Sequence, residues 1–322
     1  MPPKVFISGA LGFIGKVLAD RYRAQGAEVR GVDLRADPAL GVVAGDVSEA
    51  GAWQQHASGC DLVINTAAFV SFGGKLDDVW RVNVLGTRRM LDAAVQGGAE
   101  RFVQFSSVTT FGFEFPDGVD ESYPVRLTGN PYPDSKIAAE QVTLQAHVGG
   151  EVVATIVRPG DVYGPRSRGL TVLPVQMIKS GQMVLPAGGH GQIGPVYVDN
   201  LVDGVLLAAE SDEARGEIFT IADGPATEVG EFFAHYSRML GKPPPRTLPT
   251  PIARTVAAAG GRLVKLVGKD TELSAGSVDY LAKRCGGYSI EKARRVLGYE
   301  PKLSLEEGMR RTEEWLRAEG LV

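Results

Sequence analysis

Tyr132 and Lys136 stand four apart in Asn130-Pro131-Tyr132-Pro133-Asp134-Ser135-Lys136, at the start of a helical run, so both face the same side of the helix. That spacing has a chemical use. A phenol titrates near 10, and service as a base at neutral pH takes roughly 4 kcal/mol of differential stabilisation. A nearby ammonium together with a positively charged cofactor ring can supply it. Upstream, Phe105-Ser106-Ser107 ends a predicted strand, which points it at the carboxyl edge of a sheet, where Ser107 can hold a substrate oxygen. A Tyr-x-x-x-Lys pair on an exposed helix is common, so its meaning depends on what surrounds it.

The first predicted strand runs into Ser8-Gly9-Ala10-Leu11-Gly12-Phe13-Ile14-Gly15, a GxxGxxG loop at the mouth of a helix. Without Cβ atoms the backbone N–H groups of this loop, through Phe13 and Ile14, can approach a pyrophosphate, and the helix N-terminus behind them favours negative charge. Asp33 closes the second strand 18 residues after Gly15, where a carboxylate can bond both hydroxyls of an adenosine ribose. A carboxylate there repels a 2′-phosphate, so NAD is the expected cofactor, although Arg35, two residues on, is a cation that could compensate. Asp46-Val47, after the third strand, places a carboxylate either near the adenine amino group or as an ordinary strand-to-helix cap.

The elements that must position these residues alternate. Residues 4–8, 28–33, 41–45, 61–65, 101–106 and 151–157 read as strands, and 12–25, 78–96 and 133–148 as amphipathic helices. Strand-helix alternation implies crossovers and a buried parallel sheet, so the expected fold is a doubly wound α/β Rossmann architecture. From about residue 170 helices predominate (201–209, 228–240, 252–267, 290–297 and 305–318). This suggests a dinucleotide-binding domain over 1–168, with a return contribution from about 196–222, and a smaller, mainly helical substrate-binding portion over 169–322.

Composition narrows the partners. The 34 basic and 38 acidic side chains of the 322-residue chain leave a net charge of −4, which offers no polycationic surface for nucleic acid. Cys60 and Cys285 lie far apart with no ligand-spaced partner, so neither a disulfide framework nor a metal site is expected. The N-terminus runs directly into the first strand, and no apolar window is long enough for a spanning helix, so a cytoplasmic location is expected.

The ordered set resembles the extended short-chain dehydrogenase/reductase family over nearly the full length. Its pieces are the Gly9/Gly12/Gly15 loop, Asp33, Asp46-Val47, Asn65-Thr66-Ala67-Ala68, Asn83-Val84-Leu85-Gly86-Thr87, Ser106-Ser107 followed by Gly112, Tyr132/Lys136, the Arg158 to Pro165 run and Val198-Asp199-Asn200. The resemblance implies that Ser107, not Ser106, is catalytic, with Tyr132 as general acid/base. Lys136 would bind the nicotinamide ribose and lower the phenol pKa, Asn83 would support a proton relay, and Pro159-Gly160 would line the nicotinamide pocket. It also implies a homodimer through the helices 78–96 and 133–148. Pro131-Tyr132-Pro133 is most similar to the 3β-hydroxysteroid dehydrogenase and sterol-carboxylate dehydrogenase branch. Val108-Thr109 stand where the dehydratases carry an acidic pair.

The variable half bears on the substrate. Arg166, Arg168 and Lys179 read as solvated charges rather than as a diphosphate clamp. The 248–267 segment combines apolar residues with only basic charges, Arg254, Arg262 and Lys265, which suits an interfacial helix, the wall of a hydrophobic pocket or a core helix with an exposed basic face. The expected activity is NAD-dependent interconversion of a secondary alcohol and a ketone on a hydrophobic small molecule, of the 3β-hydroxysteroid or 3-hydroxy/3-keto acid type. A nucleotide-sugar 4-epimerase with retained NAD is the alternative, and a non-catalytic NAD-sensing protein is the alternative of another class.

Overall fold

Val5, Phe6 and Ile7 are fully buried although their side chains alternate between opposite faces of one strand, which is the signature of a strand covered on both sides. In the computed structural model, which describes residues 3–266 and 274–322, Val5 and Ile7 join one core and Phe6 the other. The strand is β1 (Lys4–Ser8), followed by β2 (Glu28–Asp33), β3 (Val42–Ala44), β4 (Leu62–Asn65), β5 (Arg101–Phe105) and β6 (Val153–Pro159). With Ile218–Ile221 they form a seven-stranded sheet, ordered from that last strand through β6, β5, β4, β1 and β2 to β3. Every pairing in it is parallel. The doubly wound sheet expected from the alternation is observed.

Strand order reverses at β1, which lies between β2 and β4, so the crevice for a ligand opens past the carboxyl ends of β1 and β4. Helix α1 (Phe13–Ala24) and the helix Val198–Glu210 cover one face, with Leu18, Tyr22, Leu201 and Val205 buried against the sheet. The opposite face is covered by a helical run of α2 (Leu76–Trp80), a π-helical turn over Arg81–Leu85 and α3 (Gly86–Gly97), beside α4 (Pro131–Val148). Each fully buried Phe, Leu or Ile contributes about 1.5–3 kcal/mol, so the two layers fix the strand ends firmly.

Boundaries depart from the expected ones in instructive places. Helix α4 begins at Pro131 because Asn130 caps it, accepting the Tyr132 N–H at 3.2 Å, and proline suits a first helical position. Short pairings in the second half escaped the sequence: Asp161–Tyr163 beside Pro195–Tyr197, Val184–Pro186 beside Arg246–Leu248, and Gln192–Ile193 beside Thr227–Glu228. Strands of two or three residues carry too few positions for alternation to register.

The helix Thr250–Leu266 buries Ala253 and Ala257, whereas Ile252 and Val256 are 51% and 58% exposed. Arg254 is held by Asp279 at 2.8 Å. Val267 and the side chain of Lys265 lie outside the described residues. Among the described residues no helix is long and apolar enough to cross a membrane.

Candidate active site

The loop after β1 folds back on itself. Gly9 adopts φ 65°, a left-handed conformation that favours glycine, and its carbonyl accepts the Gly12 N–H at 2.9 Å. A Cβ on Gly15 would sit 2.1 Å from that carbonyl, so only glycine lets α1 start this close to the loop. No side chain caps α1 among the described residues, and the Gly12, Phe13 and Ile14 backbone opens the helix. Its positive end is left for an anion. Asp33 is half-buried and accepts the Leu11 N–H at 3.0 Å and the Leu34 N–H at 2.8 Å, so the carboxylate steadies the loop from the end of β2. Arg35 is exposed.

Behind the loop, Ser8 Oγ donates to Asn65 Oδ1 at 2.6 Å and accepts the Ala67 N–H at 3.0 Å. This ties the ends of β1 and β4 together, with Ala67 and Ala68 half-buried at the crevice. Asp46 is exposed and accepts the Ser48 N–H at 2.8 Å, forming a turn, while Val47 packs into the space that Gly86 leaves open. The cradle of glycines without Cβ atoms, the uncapped helix and the half-exposed Asp33 carboxylate fit a dinucleotide.

Successive strand-end residues face opposite ways. Ser106 is buried and donates to Glu140 on α4. Ser107 instead accepts from the Thr109 N–H and hydroxyl at 3.2 and 3.0 Å, and it lies near enough to the Tyr132 phenol to hold that phenol's pKa down. Lys136, 3% exposed, donates from Nζ to the Phe105 carbonyl at 2.9 Å. Asn83 lies in the π-helical turn, where it accepts the Phe69 N–H at 2.7 Å and donates to Ser135 Oγ at 2.9 Å. Ser135 in turn donates to the Tyr132 carbonyl at 2.7 Å, so Asn83 reaches the tyrosine through its backbone. Pro159 and Gly160 are buried at the end of β6, with the Gly194 carbonyl against Gly160.

Burial pushes the Tyr132 phenol up to about 12, with the Ser107 hydrogen bond opposing this and the Asp161 charge adding to it. The Lys136 ammonium is turned to the Phe105 carbonyl. In this state Tyr132 is a proton donor. Burial also brings Lys136 down to about 8, against the pull of Glu140.

Residues 5–222 match the family described as NAD dependent epimerase/dehydratase. The chain belongs to that family. As a member of the NAD dependent epimerase/dehydratase family it is an NAD-dependent enzyme of the extended short-chain dehydrogenase/reductase type. It is 28% identical to a 4-hydroxy-2-methyl-3-oxo-4-farnesyl-3,4-dihydroquinoline-1-oxide ketoreductase of Stigmatella aurantiaca, over 95% of this chain and 94% of that protein. It is likewise 28% identical to a 3 beta-hydroxysteroid dehydrogenase/Delta 5-->4-isomerase of Mycobacterium tuberculosis, over 95% of this chain and 88% of the relative. In fold it matches MoeE5, solved with UDP-glucuronic acid and NAD, with a TM-score of 0.80 at 24% identity, covering 98% of this chain and 99% of the other.

Two features of this family member went unread in the sequence. Glu140 takes a bidentate contact from Arg158 at 2.7 and 2.7 Å, both side chains being buried, and Arg158 also lies 4.8 Å over the Phe111 ring. Near Tyr132, Phe72 stands edge-on to the phenol ring at 5.7 Å and meets Tyr280 at 4.8 Å. Phe72, Tyr132 and Tyr280 come from a loop and two helices, so no spacing relates them. The i,i+4 step from Lys136 to Glu140 was the one legible hint.

Proposed function

We propose that the protein is an NAD-dependent oxidoreductase that interconverts a secondary alcohol and a ketone on a hydrophobic substrate, of the 3β-hydroxysteroid or 3-hydroxy/3-keto acid type. The observation that carries this is the convergence of Ser107, just past β5, on the Tyr132 phenol, with the half-buried Phe72 ring edge-on to it. NAD, when bound, supplies the hydride chemistry. The Gly9/Gly12/Gly15 cradle and Asp33 would hold its pyrophosphate and adenosine ribose, with Asp33 favouring NAD over NADP. Pro159 and Gly160 would line its nicotinamide pocket.

Tyr132 moves the proton at the substrate oxygen, and its high pKa suits it to protonate the oxygen of a ketone undergoing reduction. Ser107 holds the same oxygen by hydrogen bonding. Lys136 would contribute positive charge beside the pair and hold the nicotinamide ribose, while Asn83 fixes the first turn of α4 through Ser135. The names of the ketoreductase and hydroxysteroid dehydrogenase relatives support an apolar ring-bearing substrate. Arg166 and Arg168 are exposed, and Lys179 donates to the Leu321 carbonyl at 3.2 Å, which disfavours a diphosphate clamp there. A homodimer is part of this reading.

The test is to incubate the protein with reduced or oxidised NAD and a panel of steroids, 3-hydroxy and 3-keto acids and UDP-sugars, following the absorbance of reduced cofactor and, for the UDP-sugars, the epimeric product by chromatography. Tyr132→Phe keeps the ring and removes the ionisable oxygen. It should cost at least about a hundredfold in turnover with NAD binding nearly intact. Turnover of UDP-sugars alone would replace this reading with the epimerase one.

A further inference from the structure

Four aromatic rings from four separate segments meet at the catalytic tyrosine. Phe72 follows β4, Phe113 follows β5, Tyr132 lies on α4, and Tyr280 lies on the helix Ala275–Ala282. Phe72 contacts Phe113 at 6.0 Å and Phe113 stands edge-on to Tyr280 at 5.9 Å, which closes the set begun by the Phe72 contacts with Tyr132 and Tyr280. Tyr132 is buried, whereas Phe72, Phe113 and Tyr280 are each partly open. These present an aromatic face beside the phenol.

Tyr280 is also held unusually firmly. Its hydroxyl donates to Asp161 Oδ1. The Arg284 guanidinium lies 4.6 Å over its ring and 5.3 Å over that of Tyr288. Arg284 forks onto Asp161 at 2.7 and 3.1 Å, and the Gly194 N–H donates to the same carboxylate at 2.7 Å. Arg284 and Asp161 are 1% and 4% exposed, so their charges are spent on each other. A buried ion pair of this kind adds little net stability but fixes geometry. Asp161 follows the Pro159-Gly160 turn directly, so the latch joins the cofactor side of the crevice to the helix that carries Tyr280.

We propose that Tyr280, with Phe72 and Phe113, forms a subsite for a flat, apolar ring system, and that Arg284 and Asp161 are positioning residues that hold Tyr280 in place for it. The proposal rests on the reading of Tyr132 as the residue that meets the substrate oxygen. Flat rings stack offset or edge-on against such a face, whereas a flexible acyl chain gains little from its planarity. Among the described residues the Arg284 charge is already met by Asp161 and is not offered to a diphosphate.

The experiment compares a 3-ketosteroid with a linear 3-ketoacyl ester of similar carbon count, both reduced with NADH. Tyr280→Leu should raise the steroid KM at least about tenfold and change kcat less than about threefold, with the linear KM and the NADH Kd unmoved. Tyr280→Phe, which keeps the ring, should move the steroid KM about threefold or less. Arg284→Lys keeps the charge but loses the fork and the stacking, and should raise the steroid KM with kcat preserved. Binding is also read without turnover, by equilibrium dialysis of the steroid with NADH into Tyr132→Phe protein and into Tyr132→Phe/Tyr280→Leu protein. Steroid retained by the first and lost by the second supports the subsite even if Tyr132 proves not to be the acid. Equal retention by both, or equal loss of steroid and linear ester in Tyr280→Leu, would overturn it.

Discussion

Glu140→Gln removes one negative charge while keeping the side chain's shape, and the surroundings set its cost. Glu140 is 1% exposed and Arg158 is 2% exposed, so neither charge is shared with solvent. Both guanidinium contacts, at 2.7 and 2.7 Å, end on Glu140, and Ser106 donates to it as well. Breaking a buried pair by removing one partner costs about 3–5 kcal/mol, because the remaining charge is stranded. The Gln carbonyl can still accept one of the Arg158 bonds, which places the expected loss near the lower end, about 3 kcal/mol. Lys136 responds too: Glu140 is the charge that opposes its depression by burial, so the lysine pKa should fall below about 8 and more of it should be neutral near pH 7.

Urea unfolding at fixed pH measures the first effect, and the alkaline limb of the pH–rate profile measures the second, which should move to lower pH. The double variant Glu140→Gln/Arg158→Met removes the stranded charge and should regain most of the lost stability. A loss below about 1 kcal/mol in the single variant, or no recovery in the double one, would refute the reasoning from burial.

Lys136 gives a stability prediction of known sign. Its pKa is about 8 when folded against 10.5 in an open chain, so the folded state binds fewer protons between those values and stability rises with pH across them, by roughly 3 kcal/mol in all. Lys136→Met should abolish that rise and stabilise the protein near pH 7 while impairing turnover, as urea midpoints at several pH values would show. Asp33→Ala should narrow the preference for NAD over NADP and loosen the glycine loop, because the carboxylate also accepts the Leu11 N–H at 3.0 Å. Equal use of both cofactors by the unmutated protein would contradict this. Ile252 and Val256 present an exposed aliphatic pair beside exposed Arg262, so weak, salt-sensitive cosedimentation with anionic liposomes is expected. Ile252→Asp with Val256→Asp should abolish it.

The parallel sheet was legible because strand and helix periodicities are local. Val5-Phe6-Ile7, Leu62-Val63-Ile64 and Phe102-Val103 announce strands that are apolar on both faces, and Gly9, Gly15 and Asp33 follow from what a tight turn at a helix mouth demands. Tyr132 and Lys136 were legible for a similar reason, since one helical turn fixes their relation. The second half was less so. Two- and three-residue strands such as Val184–Pro186 leave no period to read, and the exposed side of Thr250–Leu266 depends on which neighbours cover Ala253 and Ala257.

Only the tertiary structure decided what surrounds the tyrosine. Residues as far apart as Phe72, Phe113, Asp161, Tyr280 and Arg284 meet there because the sheet edge gathers chain segments that sequence order separates. The spacing brings ammonium and phenol to one side of α4, but the Phe105 carbonyl takes the ammonium and burial raises the phenol to about 12. A charge's effect depends on how much water its site excludes and which other dipoles compete for it, and both are properties of the folded interior.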